Sequence, residues 1–309
     1  MRGDITIVMY HYVRNLKKSS YPRIKGLDTK KFERQIDYIK DNYEVISGYD
    51  LIDIVSNGKS LPKNAALLTF DDGYADHFTN VFPVLDRSGL SGCFFPSAKP
   101  IVENKVLDVN KIQFIMASIP NESVLIKYIY SKIKERKKEF DLLSPDKYWS
   151  LLANSTNLDS AGVVFCKLML QYELPFKLRT DIIHDLFDKY VTNDEFSFSK
   201  KLYMSREQII TMKQKGMYIG SHGYDHLWMD TLSPKNQEYE INKSLEFLDC
   251  IGMSTNNWIM CYPYGSYNES LISTINNNNC IAGLSTDKGV ASLDNDNVYT
   301  LPRIDTVDI

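Results

Sequence analysis

Apolar positions along this chain fall into short runs of strand length, separated by stretches where they recur at helical spacing. Ile5 to Tyr10 reads as a first strand, and Asp28 opens a helix as its N-cap, with Phe32, Ile36 and Ile39 on one face. Tyr43 to Ile46 reads as a second strand. A short helix from Asp50 turns Leu51, Ile54 and Val55 inward and ends near Gly58. Leu67-Leu68-Thr69-Phe70 then runs into Asp71-Asp72-Gly73, the pattern of a buried strand that delivers two acids to the open end of a sheet. A helix over Ala75 to Ser88, stopped by Gly89, and a strand over Gly92 to Phe95 follow.

From about Ile101 to Lys201 the rhythm changes. Helical runs over Val124 to Lys138, Gly162 to Tyr172 and Pro175 to Tyr190 succeed one another without clear strands between them. The pattern predicts one domain over residues 1–309, interrupted by a helical insertion at about 101–201. Strand and helix alternate again from Ser205-Arg206-Glu207-Gln208, a capping-box pattern opening a helix that ends at Gly216. A strand over Met217 to Ile219 follows, then a helix opened by Ser233-Pro234 with Ile241, Leu245 and Leu248 inward, and a strand over Trp258 to Cys261. A helix over Glu269 to Asn277 and strands over Ile281 to Leu284 and Val298 to Ile304 complete the chain. Repeated strand–helix units predict an α/β fold with a parallel sheet covered by helices, and their count suits a (β/α) barrel lacking one or two strands.

Composition narrows the classes. The chain has 309 residues, 43% of them hydrophobic, enough for a large core. Its 36 basic and 39 acidic residues give a formal net charge of -3, which leaves no basic footprint for nucleic acid and no strong attraction to a membrane surface. No stretch approaches the ~20 apolar residues of a membrane span. Met1 to Asp4 lead straight into the first strand rather than into a leader, and the five cysteines lack any Cys-x-x-Cys spacing. These features together predict a cytoplasmic protein without a disulfide framework or a thiolate zinc site.

Two stretches carry chemistry. A bare Asp-Asp-Gly reads equally as a tight turn with a solvated acid. Far downstream, however, Ile219-Gly220-Ser221-His222-Gly223-Tyr224-Asp225-His226 places two histidines four residues apart. On one helical turn such a pair faces the same way and can grip one metal, and a carboxylate completes a three-ligand site with an open position. The expected ion is divalent, Zn2+ first, with Ni2+, Co2+ or Mn2+ also compatible with the donors. A divalent metal in such a site would supply an activated water and stabilise charge on a substrate oxygen, as hydrolysis near neutral pH requires. One acid must then bind metal while its neighbour stays free to take a proton, which adjacent residues at a strand end allow because their side chains diverge. A zincin protease is a poor fit, since Gly223 stands where its glutamate would.

Thr69-Phe70-Asp71-Asp72-Gly73 and His222-Gly223-Tyr224-Asp225-His226 resemble the first and second motifs of the polysaccharide deacetylases of carbohydrate esterase family four, the NodB homology domain. The resemblance spans roughly Ile5 to Ser97 and Met204 to Arg303 and leaves the helical insertion unexplained. It implies a distorted (β/α) barrel of six to eight parallel strands, with Asp72, His222 and His226 as metal ligands and Asp71 as general base. Tyr262-Pro263-Tyr264-Gly265 is similar to the third motif, in which the N–H of Tyr264 would help hold the oxyanion.

Two departures stand out. Cys261 replaces the arginine that usually opens the third motif; Arg303 is the candidate substitute, or else a surface arginine. No histidine follows His226, so the family's late catalytic acid has no counterpart. His11 directly follows the first strand, whose C-terminal end would share a barrel face with Asp71. Met9-Tyr10-His11-Tyr12-Val13 also resembles the opening of a rearranged branch in which an early histidine is the acid; the alternative is a histidine hydrogen-bonded at a strand end. His77 and His184 sit in helical patterns and read as structural or surface residues.

The function implied is metal-dependent removal of the N-acetyl group from an N-acetylated amino sugar during surface polysaccharide biosynthesis. With no leader in view, a nucleotide- or lipid-linked precursor is favoured over an external polymer. The alternatives are a deformylase or other small-acyl amidohydrolase on a sugar, and a catalytically weakened carbohydrate-binding protein. The insertion is expected to cap the catalytic mouth, or else to form a dimerisation or stabilising layer.

Overall fold

The computed structural model describes residues 2–156 and 159–309, so Met1 and positions 157 and 158 of the expected insertion lie outside the described residues. The chain divides into two compact units, one comprising the chain up to Leu16, Lys25–Lys105 and Ser199–Ile309, the other Lys17–Ile24 and Val106–Phe198.

The first unit is built on strands β1 (Asp4–Tyr10), β2 (Glu44–Val45), β3 (Ala65–Asp71), β4 (Cys93–Phe95), β5 (Tyr218–Ile219), β6 (Trp258–Cys261), β7 (Cys280–Lys288), β8 (Ala291–Ser292) and β9 (Leu301–Asp305). Seven of them run β5-β4-β3-β1-β9-β7-β6, every pairing parallel. The two ends of this path meet just past β5, where Ser221 N donates to Ile259 O at 3.1 Å and Cys261 N to Ser221 O at 2.9 Å. The result is a distorted (β/α) barrel. β2 extends the lower edge of β3, and β8 pairs antiparallel with the start of β1. β3 is buried at every position, as expected of a strand in a parallel sheet covered by helices. Because the strands are parallel, Tyr10, Asp71, Phe95, Ile219 and Cys261 end them at one face of the barrel.

The helices are α1 (Thr29–Asn42), α2 (Gly48–Asn57), α3 (Phe82–Ser88), α4 (Ala98–Glu103), α5 (Asp108–Ser118), α6 (Glu122–Phe140), α7 (Pro145–Leu152), α8 (Ala161–Leu168), α9 (Phe176–Tyr190), α10 (Glu195–Leu202), α11 (Arg206–Gln214), α12 (Pro234–Cys250) and α13 (Glu269–Asn277). Asp28 caps α1 as expected, accepting from Lys30 N at 3.0 Å. The cap of α2 is Ser47 rather than Asp50, because Asp50 reaches back from the first turn to bond Ser47 N at 2.8 Å. The helix expected over 75–88 is interrupted: His77–Val81 forms a π turn before α3. Pro83 has no N–H to continue an α ladder, and the wider turn accommodates its ring.

Of the helices that begin in the second unit, α5, α7 and α10 escape sequence reading. α5 buries Val109, Ile112, Phe114, Ile115 and Ala117 together with Asn110 and Lys111, so apolar and polar positions do not separate into faces. Residues 17–24 belong here too: the Tyr21 ring meets Phe114 edge-on at 4.8 Å, and Arg23 Nε donates to Ala117 O at 2.9 Å. In the first unit, Ser199 Oγ donates to Lys105 O at 3.0 Å, so the two ends of the excursion lie side by side. Among the described residues no helix is long and apolar enough to cross a membrane.

Candidate active site

β3 delivers Asp71 as its last residue, and the chain then turns sharply through Asp72 (φ 74°) and Gly73 (φ 73°). Gly73 is required twice over, by its left-handed φ and because a Cβ there would lie 2.6 Å from Pro96 Cβ. This turn, rather than strand pleating alone, separates the two carboxylates.

Asp71 is buried and meets Arg303 across two contacts, Nη1 to Oδ1 at 3.0 Å and Nη2 to Oδ2 at 2.8 Å. Arg303 comes from β9, is itself 2% exposed, and is held by donation from Nε to Ser285 O at 2.7 Å and from Nη1 to Thr69 Oγ1 at 3.1 Å. Burial pushes the Asp71 carboxyl up, but Arg303, His222 and His11 outweigh it and lower it to about 2. His11 follows β1, is 44% exposed in its side chain, and brings Nε2 to 3.8 Å from Asp71 Oδ2. His77, fully buried behind it, donates from Nε2 to His11 O at 2.9 Å.

The two histidines arrive on the loop after β5. This loop is not a helical turn, because Gly223 (φ 69°) and His226 (φ 52°) both take left-handed conformations that break helical progression. Its geometry is held from outside. Ala98 N and Lys99 N donate to the carbonyls of Gly223 (3.2 Å) and Tyr224 (3.0 Å). Glu240 Oε2, buried on α12, accepts from Tyr224 N at 3.0 Å and Asp225 N at 2.8 Å. Burial pushes the Glu240 carboxyl up to about 7. Asp225 is turned away from the centre and paired with Lys99 at 2.6 Å.

So held, the loop brings His222 Nε2 and His226 Nε2 to 3.3 and 3.1 Å from the same atom, Asp72 Oδ1. His222 Nδ1 donates to Cys261 O at 2.7 Å, which in the neutral ring leaves the Nε2 lone pair facing Asp72. Asp72 Oδ1 is buried and no hydrogen bond of satisfactory geometry reaches it, while Oδ2 accepts from the Tyr74 hydroxyl at 2.5 Å. An orphaned carboxylate oxygen converging with two imidazole nitrogens, all within 4.8 Å of one another, is a donor set that fits a divalent transition metal. Burial opposes the charge on Asp72, yet the two imidazoles hold its carboxyl well below the ordinary range.

Tyr264 lies in the turn after β6 with φ 58°; its ring packs edge-on to His226 at 4.6 Å and stacks on Trp228 at 4.4 Å. Asp71, Asp72, His11, His222, His226, Tyr264 and Arg303 thus share one end of the barrel. Cys261 places its sulfur within 4.8 Å of ligand atoms of Asp71 and His222, beside the guanidinium that comes from β9. Sequence reading missed Tyr74 and Glu240, while His77, read as a structural or surface residue, is buried and bonds the His11 carbonyl. The signal for Glu240 was present: Gln237, Glu240 and Ser244 recur at helical spacing and all are buried.

A parallel barrel with a buried acid pair and two imidazoles at the C-terminal ends of its strands has the layout of a barrel hydrolase. The family model for polysaccharide deacetylase matches residues 58–134 and 179–280, and the chain belongs to that family. His11 and Arg303 lie outside both matched stretches. YxkH of Bacillus subtilis (strain 168) is 20% identical over 303 residues, covering 98% of this chain and 71% of that protein. The poly-beta-1,6-N-acetyl-D-glucosamine N-deacetylase of Escherichia coli (strain K12) is 32% identical over 79 residues, 25% of this chain and 12% of that one. Among solved structures, the Streptococcus pyogenes deacetylase PplD in complex with acetate shares the fold at a TM-score of 0.61 and 17% identity, over 99% of this chain and 93% of that one.

Proposed function

We propose that this chain is a metal-dependent hydrolase that removes the N-acetyl group from an N-acetylated amino sugar of a surface glycan or its precursor, releasing acetate and a free amine. The observation that carries the reading is the buried Oδ1 of Asp72, without a hydrogen-bond partner and faced by His222 and His226. Asp72, His222 and His226 are the residues that would hold a divalent ion, Zn2+ first, which when bound supplies an acidified water and a polarised amide carbonyl.

The remaining roles fall to the chain's own groups. Arg303 keeps Asp71 ionised and immobile, so Asp71 takes the proton of the attacking water. His11, half-exposed at the mouth and near Asp71, returns a proton to the leaving amine. The backbone N–H of Tyr264 steadies charge on the carbonyl oxygen, and the stacked rings of Tyr264 and Trp228 offer an apolar face to a sugar. The likeness to an enzyme named for N-acetyl-D-glucosamine supports the substrate class.

Acetate release from N-acetylglucosamine oligomers and from UDP- and lipid-linked N-acetyl sugars tests the reading and separates polymer from precursor. Activity is expected to vanish on chelation and to return with Zn2+, and His222→Ala and His226→Ala should lose ion and turnover together. Undiminished release after chelation, or full ion content in both variants, would overturn it; release of formate from N-formyl sugars alone would transfer it to deformylation.

A further inference from the structure

The two oxygens of Asp72 have different neighbours. Oδ1 faces the imidazoles, whereas Oδ2 is taken by the hydroxyl of Tyr74 at 2.5 Å, in a place where Tyr74 is 0% and Asp72 4% exposed. The Tyr74 ring has little freedom to swing away. Tyr12 stacks on one side with centroids 3.8 Å apart and planes 17° from parallel, and Tyr203 lies at 6.2 Å and 17°. The neighbouring Gly73 carbonyl is pinned as well, accepting from Met204 N at 2.9 Å.

We propose that Tyr74 makes Asp72 a one-oxygen ligand and thereby sets the metal preference of the site, an inference that rests on the reading of Asp72, His222 and His226 as ligands. A carboxylate with both oxygens free can grip an ion through both, which favours ions that seek many oxygen ligands, such as Mn2+. Withholding Oδ2 leaves two nitrogens and one oxygen, a sparse set that suits Zn2+. Tyr74 touches neither ion nor substrate in this scheme. It is a positioning residue acting through Asp72, in the way outer hydrogen bonds orient metal ligands elsewhere.

The test is calorimetric titration of the metal-free full chain with Zn2+, against a competing chelator, and separately with Mn2+, for wild type, Tyr74→Phe and Asp72→Asn. Tyr74→Phe keeps the stacked ring and removes only the hydroxyl, which bonds Asp72 and also meets the Tyr12 side chain. Its zinc affinity should fall by about ten- to hundredfold, the usual cost of losing an outer partner of a metal ligand. Mn2+ binding should hold or tighten, so that the zinc-to-manganese ratio falls. A ratio unchanged in Tyr74→Phe, while Asp72→Asn loses zinc, overturns the role of Tyr74 alone; Asp72→Asn binding zinc like wild type removes the ligand reading and this proposal with it. Should Tyr74→Phe fail to fold, a crystal structure of the zinc-loaded wild type decides: Oδ2 on the Tyr74 hydroxyl supports the proposal, and Oδ2 on the ion overturns it.

Discussion

Arg303 does for Asp71 what no residue near it in sequence does: it supplies a two-point cationic partner inside the barrel wall. Removing it leaves a buried carboxylate unpaired, so Arg303→Ala should destabilise the fold by roughly 3–5 kcal/mol in urea unfolding. Arg303→Lys should rescue stability better than turnover, because an ammonium cannot reproduce the planar two-point contact. Returning an arginine from β6, as Cys261→Arg in the Arg303→Ala background, should recover part of the lost stability, because the Cys261 sulfur lies beside the guanidinium; no recovery would show that the two positions are not interchangeable. By contrast, Asp71→Asn should retain the ion and lose about 10²–10⁴-fold in turnover, the contribution of a positioned base. The sequence offered the type of this arginine but not its aim: 232 positions separate it from Asp71, and only the pairing of β9 beside β1 closes that gap. Tyr74 illustrates the opposite limit, since it adjoins the acid pair in sequence while its hydrogen bond to Asp72 depends on the left-handed turn at 72 and 73.

At the scale of elements, the π turn His77–Val81 tucks His77 inward under the loop that bears His11. Burial pulls the imidazole down to about 4, a stronger effect than the opposing hydrogen bond to His11 O. An unfolded histidine titrates near 6.5. Between that value and about 4 the unfolded chain therefore takes up a proton that the folded chain refuses, so stability falls as pH drops through this window and His77 adds no further loss below it. The full effect is roughly 3 kcal/mol. His77→Gln keeps a side-chain donor for the His11 carbonyl and should lose less stability than wild type between pH 7 and pH 4.5; equal losses in urea midpoints would contradict the assignment. This turn was unreadable because its helical apolar spacing looks continuous on either side of Pro83. The loop after β5 was half-readable: Gly223 announces a left-handed residue, whereas nothing in the sequence announces one at His226.

For the molecule as a whole, alternation of strands and helices was enough to predict a parallel barrel, because β4 and β6 are apolar throughout, β3 is apolar but for Thr69 and its terminal Asp71, and their bounding turns are well marked. Residues 17–24 could not be assigned to the helical unit from pattern, since what ties them there is the contact of Tyr21 and Arg23 with α5. Nor could the place at which the ring closes be foreseen. β1 and β3 pair over six registered positions, whereas β5 and β6 meet at a single bridge, Ser221 with Met260. The ring therefore has a seam, and His222 spans it: the residue follows Ser221 on one side and bonds Cys261 O on the other. An ion joining His222 to Asp72 would brace the barrel there like a latch. Amide hydrogen exchange should accordingly be faster at Ser221 and Cys261 than along β1 and β3, and Zn2+ should slow it at the seam in wild type but not in His222→Ala. Exchange at the seam indifferent to zinc would separate the breathing of the barrel from its chemistry; exchange that responds would make metal supply a control on how long the folded ring stays shut.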